Sequence, residues 1–243
     1  PKKIIYCAES AKESHLKYGF CKNKTKVIPN GVDFSKFKKS PYQRLKYRKK
    51  IGISNKETLF GTVARYDRNK DHLNLLNSLV LLKKSGFKFK YLLVGENIGY
   101  HNKELVTNIE NLGLKNNLLL LGKESNISFV MNAIDLHILS SRSEAFPLVI
   151  LEAIACGTLC ISTNVGDVGK IIRNEDFLIK PNNHKSLYEA ILKFKKLSKQ
   201  EINKIKKDSI KRIKENYSIK QMAMKYNEIY REFFKESKSK NKK

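Results

Sequence analysis

Acidic residues are scarce in this chain of 243 residues: 23 Asp and Glu stand against 49 Lys and Arg, a formal net charge of +26. The shortage is uneven. Residues 1–50 hold 15 basic and 3 acidic side chains, residues 51–182 hold 15 and 13, and residues 183–243 hold 19 and 7. A near-neutral middle argues against a basic groove through the core. With no interleaving of aromatic and basic residues, it also argues against nucleic acid as a partner. Two readings of the cationic ends stand. They suit an anionic membrane surface, where clustered Lys and Arg contribute about 1 kcal/mol each, or they are solvated helix faces of a lysine-rich chain.

Long apolar runs are also missing. Nothing approaches the roughly 20 residues that span a bilayer, although 41% hydrophobic residues suffice for a sizeable core. The opening Pro-Lys-Lys-Ile-Ile-Tyr-Cys is too short and polar for a secretion signal, and without an initiator Met the chain reads as a piece of a longer protein. The four cysteines, Cys7, Cys21, Cys156 and Cys160, have no zinc-type partners nearby. They read as buried free thiols, which suits a reducing compartment. There is no Gly-x-Gly-x-x-Gly, no Gly-x-x-x-x-Gly-Lys-Ser/Thr and no Asp-x-Asp. The first two absences remove two common nucleotide signatures. The third removes the evident divalent site for a sugar diphosphate, so protein cations would have to neutralise such a ligand.

What is present is a regular alternation of short apolar strands and amphipathic helices. Strands are predicted at 4–8, 26–29, 58–64, 89–94, 117–121, 136–139, 159–163 and 177–179. Between them, helices are predicted at 11–18, 38–50, 71–84, 102–112, 127–132 and 147–156. Helix 71–84 would bury Leu73, Leu76, Leu79, Val80 and Leu82. The end is helical, at 184–197, 199–216 and 219–235. The last helix carries a stripe of Met222, Tyr226, Ile229, Tyr230 and Phe233. The pattern predicts an α/β fold, a Rossmann-like parallel sheet with helices on both faces and a helical C-terminus. Ligands of such sheets lie beyond the carboxyl ends of the strands.

Five loops fall on that rim. After the first central strand, Arg65 and Lys70 sit at the strand end and the helix start; they would neutralise a diphosphate, or they are two surface cations. Gly95 and Gly122, the latter followed by Lys123, permit close backbone approach to a ligand or only make turns. Asn164 to Gly169 reads as a flexible loop. Between Leu139 and Gly157 lies Ser-Ser-Arg-Ser-Glu-Ala-Phe-Pro-Leu-Val-Ile-Leu-Glu, in which Glu144 and Glu152 bracket a helix opening at Pro147. A strand feeding a helix N-terminus is where an α/β protein holds an anion. Acids on both sides of it suggest joint phosphate and hydroxyl binding, as a sugar nucleotide requires; the alternative is one helix-terminal charge and one unrelated surface glutamate.

Taken in order, Val27-Ile28-Pro29-Asn30-Gly31-Val32-Asp33 with Phe37, Gly61-x3-Arg65-x4-Lys70-Asp71, Leu93-Val94-Gly95-Glu96, Leu121-Gly122, Ser141 to Ala153 and Ala155-Cys156-Gly157 form a series. By it, nearly the whole chain resembles the carboxyl-terminal half of a retaining glycosyltransferase of the GT-B fold, glycosyltransferase family 4 (glycosyl transferases group 1).

The resemblance implies a remnant of an N-terminal acceptor domain plus hinge at 1–37 and a Rossmann-like donor domain at 38–216. It also implies a helix at 217–236 crossing back toward the N-terminal domain, followed by a disordered tail at 237–243. It implies transfer of a sugar from a UDP- or GDP-sugar, without metal or other cofactor, to a saccharide or lipid-linked acceptor in the synthesis of a bacterial-type polysaccharide, lipopolysaccharide, capsule or glycolipid. Arg65 and Lys70 would hold the diphosphate and Glu144 the donor sugar. Backbone N–H groups around Phe146, Leu148 and Val149 would meet oxygens at the helix start. Glu152, roughly 7–8 Å along the helix, would reach the ribose. Gly95 would lie against the donor, and Gly122 and Lys123 would border the base. Most of the acceptor domain is missing, so these residues alone should bind donor and turn over poorly. The implied location is cytoplasmic, peripheral on the inner face of the plasma membrane. A sugar-nucleotide binding module without catalysis is the alternative, and a basic nucleic-acid binder a weaker one.

Overall fold

In the computed structural model, which describes residues 1–240, the elements run β1 (Ile4–Tyr6), α1 (Glu9–Lys17), β2 (Thr25–Val27), α2 (Pro41–Lys50), β3 (Leu59–Val63) and α3 (His72–Lys84). They continue through β4 (Lys90–Val94), α4 (Lys103–Asn111), β5 (Leu118–Leu120), α5 (Ile127–Ala133), β6 (Leu136–Leu139) and α6 (Leu148–Ala155). The series closes with β7 (Leu159–Thr163), α7 (Val168–Ile172), β8 (Leu178–Ile179), α8 (His184–Lys196), α9 (Lys199–Asn216) and α10 (Ile219–Lys240). Six strands form one parallel sheet in the order β5-β4-β3-β6-β7-β8. Strands buried on both faces read as continuous apolar runs, and Leu59, Phe60, Leu92, Leu93, Leu136, Ile138 and Ile161 are fully buried here.

The order reverses at the centre. β3 pairs with β4 on one side and, skipping two strands in sequence, with β6 on the other. Gly61 lies opposite His137 in that pairing, and a Cβ on Gly61 would come within 2.9 Å of the Ile134 side chain. At the opposite end of the sheet, Arg48 is 1% exposed yet charged. Its guanidinium donates to the carbonyls of Ala133, Ser54 and Glu57 and to Asp135 at 2.8–2.9 Å. With four of its five N–H groups met, the ion anchors α2 under the sheet, where the sequence pattern suggested only a basic, solvated face.

β1 and β2 form a separate parallel pair that carries α1. The chain leaves this unit and returns to it side by side. Val32 bridges Ser218, with Val32 N–H donating to Tyr217 O at 2.8 Å and Ile219 N–H to Val32 O at 3.0 Å. A Cβ on Gly31 would meet Ser218 O at 2.6 Å, so only glycine lets the two passages touch. α10 then runs back to the first strand, where Lys2 Nζ lies 5.8 Å from the Phe233 ring centroid. Of its stripe, Ile229 is buried, Met222, Tyr226 and Phe233 are half-buried, and Tyr230 is exposed. Among the described residues no helix is long and apolar enough to cross a membrane.

Several expectations need correcting. Leu75, not Leu73, faces the core from α3: it is fully buried while Leu73 is 49% exposed, because Leu75, Leu79 and Leu82 share one arc of the helix and Leu73 falls on the far side of it. Of the loop expected at 164–169, residues 164–167 are a loop, while Val168 and Gly169 already belong to α7, which is closed by Arg173 in the left-handed region (φ 53°). The tail expected from 237 is helical to Lys240, since Lys, Ser and Glu supply no breaker; the rest of it lies outside the described residues. Cys156 and Cys160 are buried, and burial raises both thiols, Cys156 to about 12. Cys7 is half-buried, however, and Cys21 is exposed.

His137, on β6, is a core residue but an incompletely satisfied one: Nε2 accepts from Val63 N–H at 3.3 Å, and Nδ1 has no partner among the described residues. Burial lowers it to about 3, and lowers His72 to about 4. Both stay neutral in the folded chain while the unfolded chain protonates them below about pH 6.5. Their contribution is therefore present above that pH and is lost as pH falls toward the folded values, at up to about 1.4 kcal/mol per pH unit for each histidine. Urea unfolding between pH 7 and pH 5 should show a progressive loss of stability; a flat profile would contradict these burials.

Candidate functional site

The reversal of strand order makes the loop after β3 and the loop after β6 neighbours. The β3 loop begins with Arg65, whose guanidinium is ion-paired to Asp67. Asp67 also accepts from the N–H groups of Asn69 (2.8 Å) and Lys70 (3.2 Å), fixing the single 3-10 turn that ends at Lys70. The Asp67 hydrogen bond and charge raise the Arg65 pKa, with smaller contributions from Glu96 and Glu144, so three acids lie within electrostatic reach of it. Lys70 Nζ stands 2.5 Å from Glu144 Oε1, and Ser141 Oγ donates to the same oxygen at 2.7 Å.

Two further contacts bind these loops. Asp71 follows Lys70 in the left-handed region (φ 50°, ψ 52°), an uncommon place for a residue with a Cβ. Its nearly buried carboxylate pairs with Arg142, with Nε–Oδ2 at 2.9 Å and Nη2 to Oδ1 at 3.0 Å. Arg142 N–H donates to Asn69 O at 2.7 Å, and Ser140 Oγ donates to the carbonyls of Lys70 and Asp71 at 2.9 and 3.2 Å. The Lys70–Glu144 pair is thus held from both sides by groups one and two residues away.

α6 opens next to this pair. Pro147 is not the first helical residue, as expected, but the extended residue before it (φ −73°, ψ 110°), because its ψ has not yet turned helical. Leu148 and Val149 therefore occupy the first two helical positions, whose N–H groups have no carbonyl within the helix to accept them. The Phe146 ring is core, 5% exposed and edge-on to Tyr217 at 5.3 Å. Glu152 lies further along α6, half-buried, and burial raises its pKa. Among the described residues no hydrogen bond or ion pair engages its carboxylate.

On the other flank, Gly95 has φ +150° and donates to Gly122 O at 2.8 Å. A Cβ on it would lie 2.1 Å from Ala64 O, so it closes the β4 exit onto the β3 exit. Gly122 is left-handed (φ +66°), and Lys123 is exposed beyond it. The structure thus brings together Arg65, Lys70, Glu144 and the start of α6. Glu152 is placed on the same helix, and Gly95, Gly122 and Lys123 on the adjoining rim. Among the described residues no group of three His, Cys, Asp or Glu side chains converges as metal ligands.

Sequence reasoning missed Asp71, Arg142, Ser140 and Ser141, and also His72, buried beneath the turn with its ring 5.1 Å from that of Tyr66. The polar run 140–143 was the available signal.

The family described as glycosyl transferases group 1 matches over residues 43–216. A UDP-Gal:alpha-D-GlcNAc-diphosphoundecaprenol alpha-1,3-galactosyltransferase of Escherichia coli is 30% identical over 175 residues, 70% of this chain and 45% of that protein. The N-acetyl-alpha-D-glucosaminyl L-malate synthase of Bacillus anthracis is 30% identical over 150 residues, 62% of this chain and 38% of that protein. Among solved structures, a glycosyltransferase from Rickettsia africae superimposes with TM-score 0.89 at 29% identity, over 96% of this chain and 64% of that one. Anabaena Alr3699/HepE, solved with UDP-glucose, superimposes with TM-score 0.86 at 24% identity, over 95% and 64%, a likeness of fold. The chain therefore spans less than half of these two relatives and under two thirds of these two structures.

Two outcomes are expected. Arg142→Ala strands the Asp71 carboxylate and should cost about 1–3 kcal/mol in urea unfolding, whereas Asp71→Gly relieves the left-handed backbone and should cost less; the reverse order would contradict the role given to this pair. Glu152 has a raised folded pKa, so its ionised form opposes folding at neutral pH. Glu152→Gln should therefore raise Tm of the ligand-free chain, each kcal/mol recovered reading as about 2–4 °C at this size. An unchanged or lower Tm would contradict the desolvated carboxylate.

Proposed function

The chain belongs to the glycosyl transferases group 1, and from that premise we propose that it is the donor-binding part of a retaining glycosyltransferase that takes a sugar from UDP or GDP. The observation that carries this reading is the Lys70–Glu144 pair at 2.5 Å, placed where the strand order reverses and beside the start of α6. Lys70 and Arg65 supply two cations for a diphosphate. The N–H groups of Leu148 and Val149 supply donors aimed by a helix dipole. As the bond from sugar to phosphate breaks, the nucleoside diphosphate gains negative charge, and fixed cations there lower the barrier. Glu144, released from Lys70 by the phosphate, accepts from sugar hydroxyls. Glu152 is a desolvated carboxylate without a partner among the described residues, suited to two vicinal ribose hydroxyls. Gly95 closes the β4 exit onto the β3 exit and so presents its backbone to the donor, and Gly122 with Lys123 borders the base.

This donor chemistry needs no metal, because the two cations do the neutralising. The name of the Escherichia coli relative, with its UDP-linked donor and lipid-diphosphate acceptor, supports a hexosyl donor and a saccharide or lipid-linked acceptor in surface-glycan synthesis. We assign 38–216 to the donor domain and 1–37 with 217–236 to the side that would complete an acceptor domain. Peripheral placement on the cytoplasmic face of an anionic membrane fits the basic ends. These residues alone should bind donor and transfer slowly or not at all.

Calorimetry with UDP and GDP tests this. At least one should bind, EDTA should not alter the affinity, and Lys70→Ala and Glu152→Ala should each weaken it about tenfold to a hundredfold, as for a lost charge-assisted bond. Binding of neither nucleotide, or indifference to both substitutions, would overturn the proposal.

A further inference from the structure

The N-terminus of α1 is capped by a residue 158 positions away. Its own N-cap residue, Ala8, has no side chain to offer. Instead Asp167, 5% exposed, accepts from Glu9 N–H through Oδ2 at 2.9 Å and from Ser10 N–H through Oδ1 at 3.1 Å. Lys170 Nζ pairs with the same carboxylate at 2.9 Å. Helix ends carry unmet N–H groups that a carboxylate satisfies well, but the cap normally comes from the adjacent residue. Here it comes from the loop between β7 and α7.

That loop has a second attachment, to the candidate site. Gly166 is left-handed (φ +57°), and a Cβ on it would lie 2.0 Å from Glu144 O and 2.7 Å from Ala145 O. Asp167 N–H donates to Ala145 O at 3.0 Å. The Asp167 N–H thus holds the Ala145 carbonyl, with Gly166 packed on that of Glu144, while the Asp167 side chain holds the first turn of α1. The contacts form an unbroken series from α1 through Asp167 and Gly166 to Glu144 and on to Lys70.

We propose that Asp167 is a positioning residue for Glu144, clamping the β7–α7 loop between the Glu144 backbone and α1. Seating of the β1–α1–β2 unit against this face and seating of the donor-sugar carboxylate then become one event. The inference rests on the reading of Glu144 as a donor ligand. Without the contact between Asp167 and α1, the helix has no cap, the loop has one anchor fewer, and Glu144 has less backing to set its reach.

Hydrogen exchange on the 243-residue chain tests the clamp, comparing wild type with Asp167→Ala, Asp167→Asn and Lys170→Ala. Without nucleotide, Asp167→Ala should exchange about fivefold faster, the effect of a lost cap, both at the first turn of α1 and across 144–149. Asp167→Asn, which keeps an acceptor oxygen, should restore part of the protection at both places. Lys170→Ala, which removes only an outer ion pair, should leave both near wild type. With saturating UDP or GDP, wild type should slow at both segments together and Asp167→Ala only at 144–149. Faster exchange confined to α1 would reduce Asp167 to a local cap and overturn the proposal, as would no change at either place. A wild-type chain that responds to neither nucleotide would count against the donor reading alone, because the nucleotide-free comparison still decides the clamp. If Asp167→Ala does not fold, Asp167→Asn carries the same comparison.

Discussion

The parallel pairing of β3 with β6 is the constraint on which the rest depends. It sets a strand next to one that follows it only after three further helices and two further strands, and so puts two loops side by side that are 70 residues and more apart in sequence. Everything proposed for the site is a consequence of that neighbourhood: a lysine from one loop, a glutamate from the other, and a helix start facing both. The pairing needs a glycine at position 61, which leaves room for Ile134, and it buries an imidazole opposite it at position 137. Both are buried costs of the crossing, and both lie one strand length from the chemistry they enable.

The electrostatics of the rim follow a pattern of paired ions that a ligand can reassign. Asp67 holds Arg65, Glu144 holds Lys70, and Asp71 holds Arg142. The first two pairs are accessible enough to exchange a carboxylate for a phosphate, since exposed and half-exposed pairs contribute little net stability. The third is closed on its acidic side and serves to shape the backbone. Glu152 differs from all of them in having burial without a partner, which makes it the group with most to gain from a hydroxyl-bearing ligand. The large basic excess of the chain plays no direct part here, because it lies in the terminal segments.

Much of the architecture was legible from apolar periodicity. β6 and β7 fall where the apolar runs put them, and most other elements start or stop within a residue or two. The loop at 164–169 was placed two residues too long, because Gly169 read as part of it, while burial of Val168, Ile171 and Ile172 starts α7 at Val168. Arg48 failed because a basic helix gives no sign that one of its cations will find four acceptors in the interior. At the site, the rim residues were legible because strand ends and helix starts are local features. Asp167 on α1 and Arg142 on Asp71 were not, since each is a contact between segments that nothing in the local sequence links.

The central claim is a location: a nucleoside diphosphate held at the crossing between the β3 and β6 loops. A crystal structure of the chain soaked with UDP and GDP tests it most directly. The account expects the diphosphate between Arg65, Lys70 and the N–H groups of Leu148 and Val149, with the ribose on Glu152 and Lys70 drawn off Glu144. A nucleotide seated on the basic ends, or on the rim with Glu152 turned away from it and the Lys70–Glu144 pair intact, would contradict it.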